Sequence, residues 1–166
     1  TVQEILKGRF HVDLLATSKA PDDPGFWREL RYMLDSYRYE AIHFNNGLHG
    51  EHLDAAKYEK LLRRAAALLR ARCQRVVLAN STPLTMPGDE GRLREKENAP
   101  VLERNEAVRR VAARLGLGFD DLYALSVGKA EWRSGDGCHF NAAGYAALGA
   151  SAADSILKVL GDGRTT

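Results

Sequence analysis

The run RVVLAN, Arg75 to Asn80, constrains the fold more than any other stretch. It is short, β-prone and apolar on consecutive positions, so as a strand it would need cover on both faces, as strands of parallel sheets do. A long helical pattern precedes it, from about Asp54 to Arg72, with Asp54 as a cap and Tyr58, Leu61, Leu62, Ala65 and Leu69 on one face. A second helical pattern follows from about Val101 to Leu115. A strand between two crossover-length helices predicts a parallel α/β sheet with right-handed connections.

The rest of the chain repeats this alternation. FHVDLLA (Phe10 to Ala16), YEAIHFN (Tyr39 to Asn45) and a short run at Leu117 to Phe119 read as further strands. Pro24 to Tyr37 reads as a helix with proline in its first turn, and Ala142 to Leu160 as a last helix ended by Gly161. The polar stretch STPLTMPGDEGRLREKENAP reads as a loop with at most a little helix. With 166 residues and no internal repeat or linker, one domain over residues 1–166 is the simplest expectation.

Composition removes several classes of function. A net charge of +2 gives no electrostatic case for nucleic acid as partner. Cys73 and Cys138 are too few to read a disulfide framework, and no apolar run reaches the roughly 20 residues of a membrane span. Oligomeric state and compartment are not legible.

In open parallel sheets, ligands bind beyond the carboxyl ends of the strands. The loops after Ala16, Asn45 and Asn80, together with the segment around Asp136, are therefore expected on one rim. The loop HFNNGLHGEH, His43 to His52, places Asn45, Asn46 and Gly47 at a strand end. An amide there can donate to an oxyanion, an interaction worth roughly 3–4 kcal/mol in a transition state. The same residues also make an ordinary Asn-Asn-Gly turn. Further on, SGDGCHFNAAGYAALG holds Asp136 and His139 three apart, just ahead of the last helix. That spacing suits a helix cap with an incidental histidine, and it equally suits a general base with its orienting carboxylate. The presence of the asparagine loop on the same expected rim favours the second.

FNNGLHG followed far downstream by DGCHFNAAGY resembles the SGNH hydrolases, the GDSL-type esterases and lipases. The resemblance implies a flavodoxin-like three-layer α/β/α sandwich. It implies Asn45 as an oxyanion donor, Asp136 as triad acid and His139 as triad base, with Ser18 (through nearby backbone N–H), Asn46, Gly47 and His49 around the substrate. The activity implied is hydrolysis of small acyl esters, possible targets including acetyl groups on carbohydrate, with no metal and no organic cofactor. The family's Gly-Asp-Ser is absent, and TVQEILKGRF resembles the remainder of the helix that follows it. The first, central strand and its nucleophile are therefore expected upstream of Thr1, leaving a gap between the Phe10–Ala16 and Tyr39–Asn45 strands. The alternative is a ligand-binding relative that has lost its nucleophile.

Other chemistries are weaker. Ser18 and Ser81 follow strands but lack a small-residue elbow, and Cys138 is expected to point away from its neighbour His139. His49, Glu51 and His52 lack the helical spacing of a zinc site. His11 and His43 read as structural, and Trp27, Trp132, Tyr123 and Tyr145 as core or pocket-wall aromatics.

Overall fold

The computed structural model describes residues 1–161. In chain order the elements are α1 (Val2–Leu6), α2 (Pro24–Ser36), β1 (Ile42–Phe44), α3 (Ala55–Arg72), β2 (Val76–Ala79), β3 (Thr85–Met86), β4 (Asp89–Leu93), α4 (Glu95–Leu115), β5 (Gly118–Asp120), α5 (Leu122–Ser126), a 3₁₀ turn (Ala130–Trp132) and α6 (Ala142–Leu160). The main sheet is parallel with order β1-β2-β5, and β3 and β4 form a separate antiparallel hairpin. This is the expected α/β architecture.

Strand alternation explains the layers. Ile42, Phe44, Val76, Leu78 and Phe119 share one face, where they meet a core built from Phe26, Trp27, Leu30 and Leu34 of α2, Tyr58, Leu62, Ala66 and Leu69 of α3, and Ala107, Val108, Val111 and Ala112 of α4. His43, Val77, Gly118 and Asp120 face the other way, against α6. All four residues of β2 are buried, as a central strand covered on both sides requires.

The helix starts follow from local chemistry. Asp23 accepts the Gly25 N–H at 2.6 Å with Pro24 opening α2, and Asp54 accepts the Lys57 N–H at 2.7 Å at the start of α3. Gly161, at φ 84°, ends α6 in the left-handed region.

Three expectations are corrected. Phe10–Ala16 forms no strand: Leu14 is 78% exposed, and the segment has no ladder partner, so its apolar alternation has no sheet to join. It does not pair with β1, whose other edge carries no strand among the described residues. The stretch read as a loop after Asn80 holds the β3–β4 hairpin, turned at Met86-Pro87-Gly88-Asp89 with Gly88 at φ 77°, the signature of a type II turn. α4 begins at Glu95 and carries Pro100 inside it. Proline near a helix start forfeits only one intrahelical bond. The Asn98 side chain ties this helix start to the segment before the hairpin, accepting the Leu84 N–H and donating to the carbonyls of Leu84 and Arg94.

Candidate functional site

The loops beyond the carboxyl ends of β1, β2 and β5 are bonded into one rim. Ser81 donates its hydroxyl to the Gly47 carbonyl at 2.5 Å, and its own backbone N–H and C=O are both met by the Asn105 amide. Asn80 donates to Asp121 Oδ1 at 2.6 Å and accepts the Tyr123 N–H. Gly47 sits at φ 61°, which lets the chain turn back over the end of β1.

Asn45 and Asn46 divide the work on this rim. Asn45 Nδ2 donates to the carbonyls of Ala79 (3.1 Å) and Asn80 (2.8 Å), so both its amide hydrogens are committed to the end of β2. Asn46 is the buried one, at 8% exposure, and its Oδ1 has no hydrogen-bond partner among the described residues. Its neighbour His49 is exposed, as is Ser18. The family resemblance implies Asn45 as an oxyanion donor; its tie across to β2 cannot be read from one strand.

Asp136 and His139 meet within their own loop. His139 Nδ1 lies 2.6 Å from Asp136 Oδ2, while Oδ1 accepts the His139 backbone N–H (2.8 Å), the Cys138 N–H (2.9 Å) and the Ser134 hydroxyl (3.1 Å). These bonds hold the Asp136 carboxyl well below the ordinary carboxylate range, the His139 N–H contributing most, then the His139 ring and the Cys138 N–H. An ionised carboxylate only accepts, so Nδ1 carries the hydrogen and Nε2 presents its lone pair. Two residues on from His139, Asn141 accepts the Gly144 N–H and caps the start of α6. The dyad stands out from the surface, with 67% of the His139 and 51% of the Asp136 side chain exposed.

The remaining candidates are placed as follows. Burial, with the Asp136 charge second, pushes the Cys138 thiol up, which keeps it protonated at neutral pH. His52 Nε2 lies 3.0 Å from Asp22 Oδ2, and among the described residues no group of three His, Cys, Asp or Glu side chains could hold a metal. His11 pairs with Asp13 at 3.1 Å. Trp27 is core and donates to the Pro21 carbonyl, whereas Tyr145 is half exposed beside Phe140. No described helix is long and apolar enough to cross a membrane.

A parallel sheet covered by helices on both faces, with an Asp–His pair just ahead of its last helix, defines a three-layer α/β protein. The model of the GDSL-like lipase/acylhydrolase family matches residues 42–147, and the chain belongs to that family. Solved structures share the fold at low identity. One is LAE5, an alpha/beta hydrolase enzyme from the metagenome of Lake Arreo, Spain, with a TM-score of 0.72, 17% identity, and coverage of 97% of this chain and 79% of that one. A carbohydrate acetylesterase family member from Sinorhizobium meliloti matches with a TM-score of 0.73, 17% identity and coverage of 96% and 84%. The W215I variant of Axe2, an acetyl xylan esterase from Geobacillus stearothermophilus, matches with a TM-score of 0.65, 16% identity and coverage of 99% and 81%. No curated protein matches the chain.

Proposed function

We propose that the whole protein is a serine esterase acting on small acyl esters, with His139 as general base and Asp136 as the carboxylate that orients it. The observation that carries this reading is the 2.6 Å contact between His139 Nδ1 and Asp136 Oδ2, which leaves Nε2 free to take a proton. A serine hydroxyl gives that proton to Nε2 as its oxygen attacks the ester carbonyl. The imidazolium then protonates the leaving alcohol, and water repeats the cycle on the acyl-enzyme. Asn46 Nδ2 donates no hydrogen bond among the described residues and so is open to an oxyanion, whereas Asn45 Nδ2 is engaged with the Ala79 and Asn80 carbonyls.

The nucleophile is a serine on a further strand that pairs with the open edge of β1. The serines of this chain support that choice. Ser36, Ser81, Ser126, Ser134, Ser151 and Ser155 each donate to an acceptor other than His139, and Ser18 lies exposed in an irregular segment. The same observation favours a second reading, a ligand-binding relative with no nucleophile. Acetyl esters of carbohydrate are the first substrates to try, because two of the similar structures are esterases of that description.

The test uses the natural full-length protein with p-nitrophenyl acetate, acetylated xylo-oligosaccharides and a fluorophosphonate probe. Covalent labelling, together with a loss of roughly 10³-fold or more in kcat for His139→Ala, is the expected result. A protein that neither labels nor loses hydrolysis on that substitution would overturn the esterase and leave the binding reading.

A further inference from the structure

An exposed acid–base pair needs something to hold its backbone, and here the β3–β4 hairpin does so. The Thr85 N–H donates to the Gly137 carbonyl at 2.8 Å, and the Gly88 N–H to the Gly135 carbonyl at 3.2 Å. These two glycines stand on either side of Asp136. Gly137 sits at φ 81°, and any Cβ there would collide with the Thr85 carbonyl oxygen, so hairpin and loop touch backbone to backbone. Between them lies the half-buried Glu90 of β4. Its Oε1 accepts the Gly137 N–H at 3.1 Å, and its Oε2 accepts the Thr85 hydroxyl.

The charge of Glu90 has a second use. Arg133, 6% exposed, lays its guanidinium 4.1 Å over the Phe140 ring, and its Nε and Nη2 are buried without a hydrogen-bond partner among the described residues. Burial disfavours the Arg133 charge, and Glu90 opposes this most among its neighbours, ahead of Cys138 and Asp136. A buried cation without compensation is costly. Glu90 therefore meets both a backbone donor of the loop and the field of the arginine that starts it.

We propose that Glu90 is a positioning residue for the Asp136–His139 pair, its carboxylate clamping the Gly137 peptide so that the Cys138 and His139 N–H groups aim at Asp136. This rests on the reading of that pair as an acid–base couple, but the clamp can be tested without catalysis. A carboxylate accepting a backbone N–H makes a charge-assisted bond, stronger than a neutral one. Once it is gone, the hydrogen bonds left between hairpin and loop among the described residues are the two backbone bonds from Thr85 and Gly88.

The experiment follows two signals in this chain by NMR: the titration of the Asp136 carboxyl carbon, and hydrogen exchange of the Gly137, Cys138 and His139 amides. Glu90→Ala is expected to raise the Asp136 midpoint toward the ordinary carboxylate value and to speed exchange by about tenfold or more. Glu90→Gln, which can still accept from Gly137, is expected to restore most of both. Thr85→Val removes only the hydroxyl that orients Glu90. It should shift both signals the same way by less, and it decides the matter if Glu90→Ala does not fold. Unchanged titration and exchange in Glu90→Ala, or in Thr85→Val in its place, overturn the clamp; so does a Glu90→Gln variant as impaired as Glu90→Ala. If the signals move while His139→Ala leaves hydrolysis by the full-length protein intact, the clamp stands and the esterase reading falls. If His139→Ala abolishes hydrolysis and Glu90→Ala moves neither signal, only the clamp falls.

Discussion

His43 on β1 reaches over β2 to place its Nε2 2.9 Å from Asp120 Oδ2 on β5, and Ser151 of α6 donates to the other oxygen of the same carboxylate at 2.6 Å. The Asp120 side chain is 3% exposed. One carboxylate thus ties the two outer strands of the sheet to the helix that covers them, on the face opposite the larger core. Asp120→Ala would leave a partly buried imidazole and a hydroxyl without their acceptor, at a cost of about 1–3 kcal/mol for unmet polar groups. In a chain of 166 residues, each kcal/mol lowers Tm by about 2–4 °C. Thermal unfolding followed by circular dichroism checks this; a variant that melts with the wild type would mean that the tie contributes nothing.

Gly118 tests how closely α6 lies on the sheet. A Cβ at this position would stand 2.9 Å from both Val159 Cγ1 and Val77 Cγ2, closer than side chains pack. Gly118→Ala should destabilise by about 1–3 kcal/mol through overpacking. Pairing it with Val159→Ala, which opens the space, should recover part of that loss. Urea midpoints of the two single variants and the double variant measure the coupling, and strictly additive losses would contradict the contact.

Tyr58 should resist alkali. Burial pushes its hydroxyl up to about 12, with the nearby Arg104 charge opposing the shift only in part. The unfolded chain releases this proton near pH 10, about the ordinary tyrosine value, while the folded chain keeps it until about 12. The unfolded state therefore binds fewer protons across that window, and stability falls as pH rises through it. Absorbance at the tyrosinate band, compared between wild type and Tyr58→Phe, should differ only near the upper end. A difference already complete at pH 10 would show a solvated hydroxyl.

The two asparagines should separate stability from activity. In the full-length protein, Asn46→Ala is expected to lower kcat by about 10²–10³, as loss of an oxyanion donor does, with little change in KM. Asn45→Ala removes the bonds to the Ala79 and Asn80 carbonyls, so its main effect should be a lower Tm. Steady-state kinetics and melting curves on both variants decide. A large kcat loss in Asn45→Ala beside a fully active Asn46→Ala would reverse the assignment.

Much of this was legible in the chain because it is written locally. The apolar run at Val76–Ala79, the facial pattern from Tyr58 to Leu69 and the caps Asp23 and Asp54 each depend on neighbours within a few residues, and each element forms where those neighbours place it. The Asp136–His139 contact is local in the same sense, since the two lie three residues apart in one turn. The hairpin at Thr85–Leu93 reads as loop because charged residues fill β4, although Pro87-Gly88 carries a usable turn signal. Phe10–Ala16 shows the opposite error: a strand-like pattern becomes a strand only when another strand is there to bond it.

By itself, then, the amino-acid order determined a covered parallel sheet, the bounds of α2, α3 and α6 to within a residue and the Asp136–His139 turn ahead of α6, because short-range periodicity and capping specify such elements. Tertiary structure alone decided that Asn45 is spent on the end of β2, that Asn46 is left buried and unmatched, and that Glu90 grips the peptide after Asp136. The physical reason is that a hydrogen bond between residues tens of positions apart depends on where packing brings their backbones, and no local pattern encodes that distance.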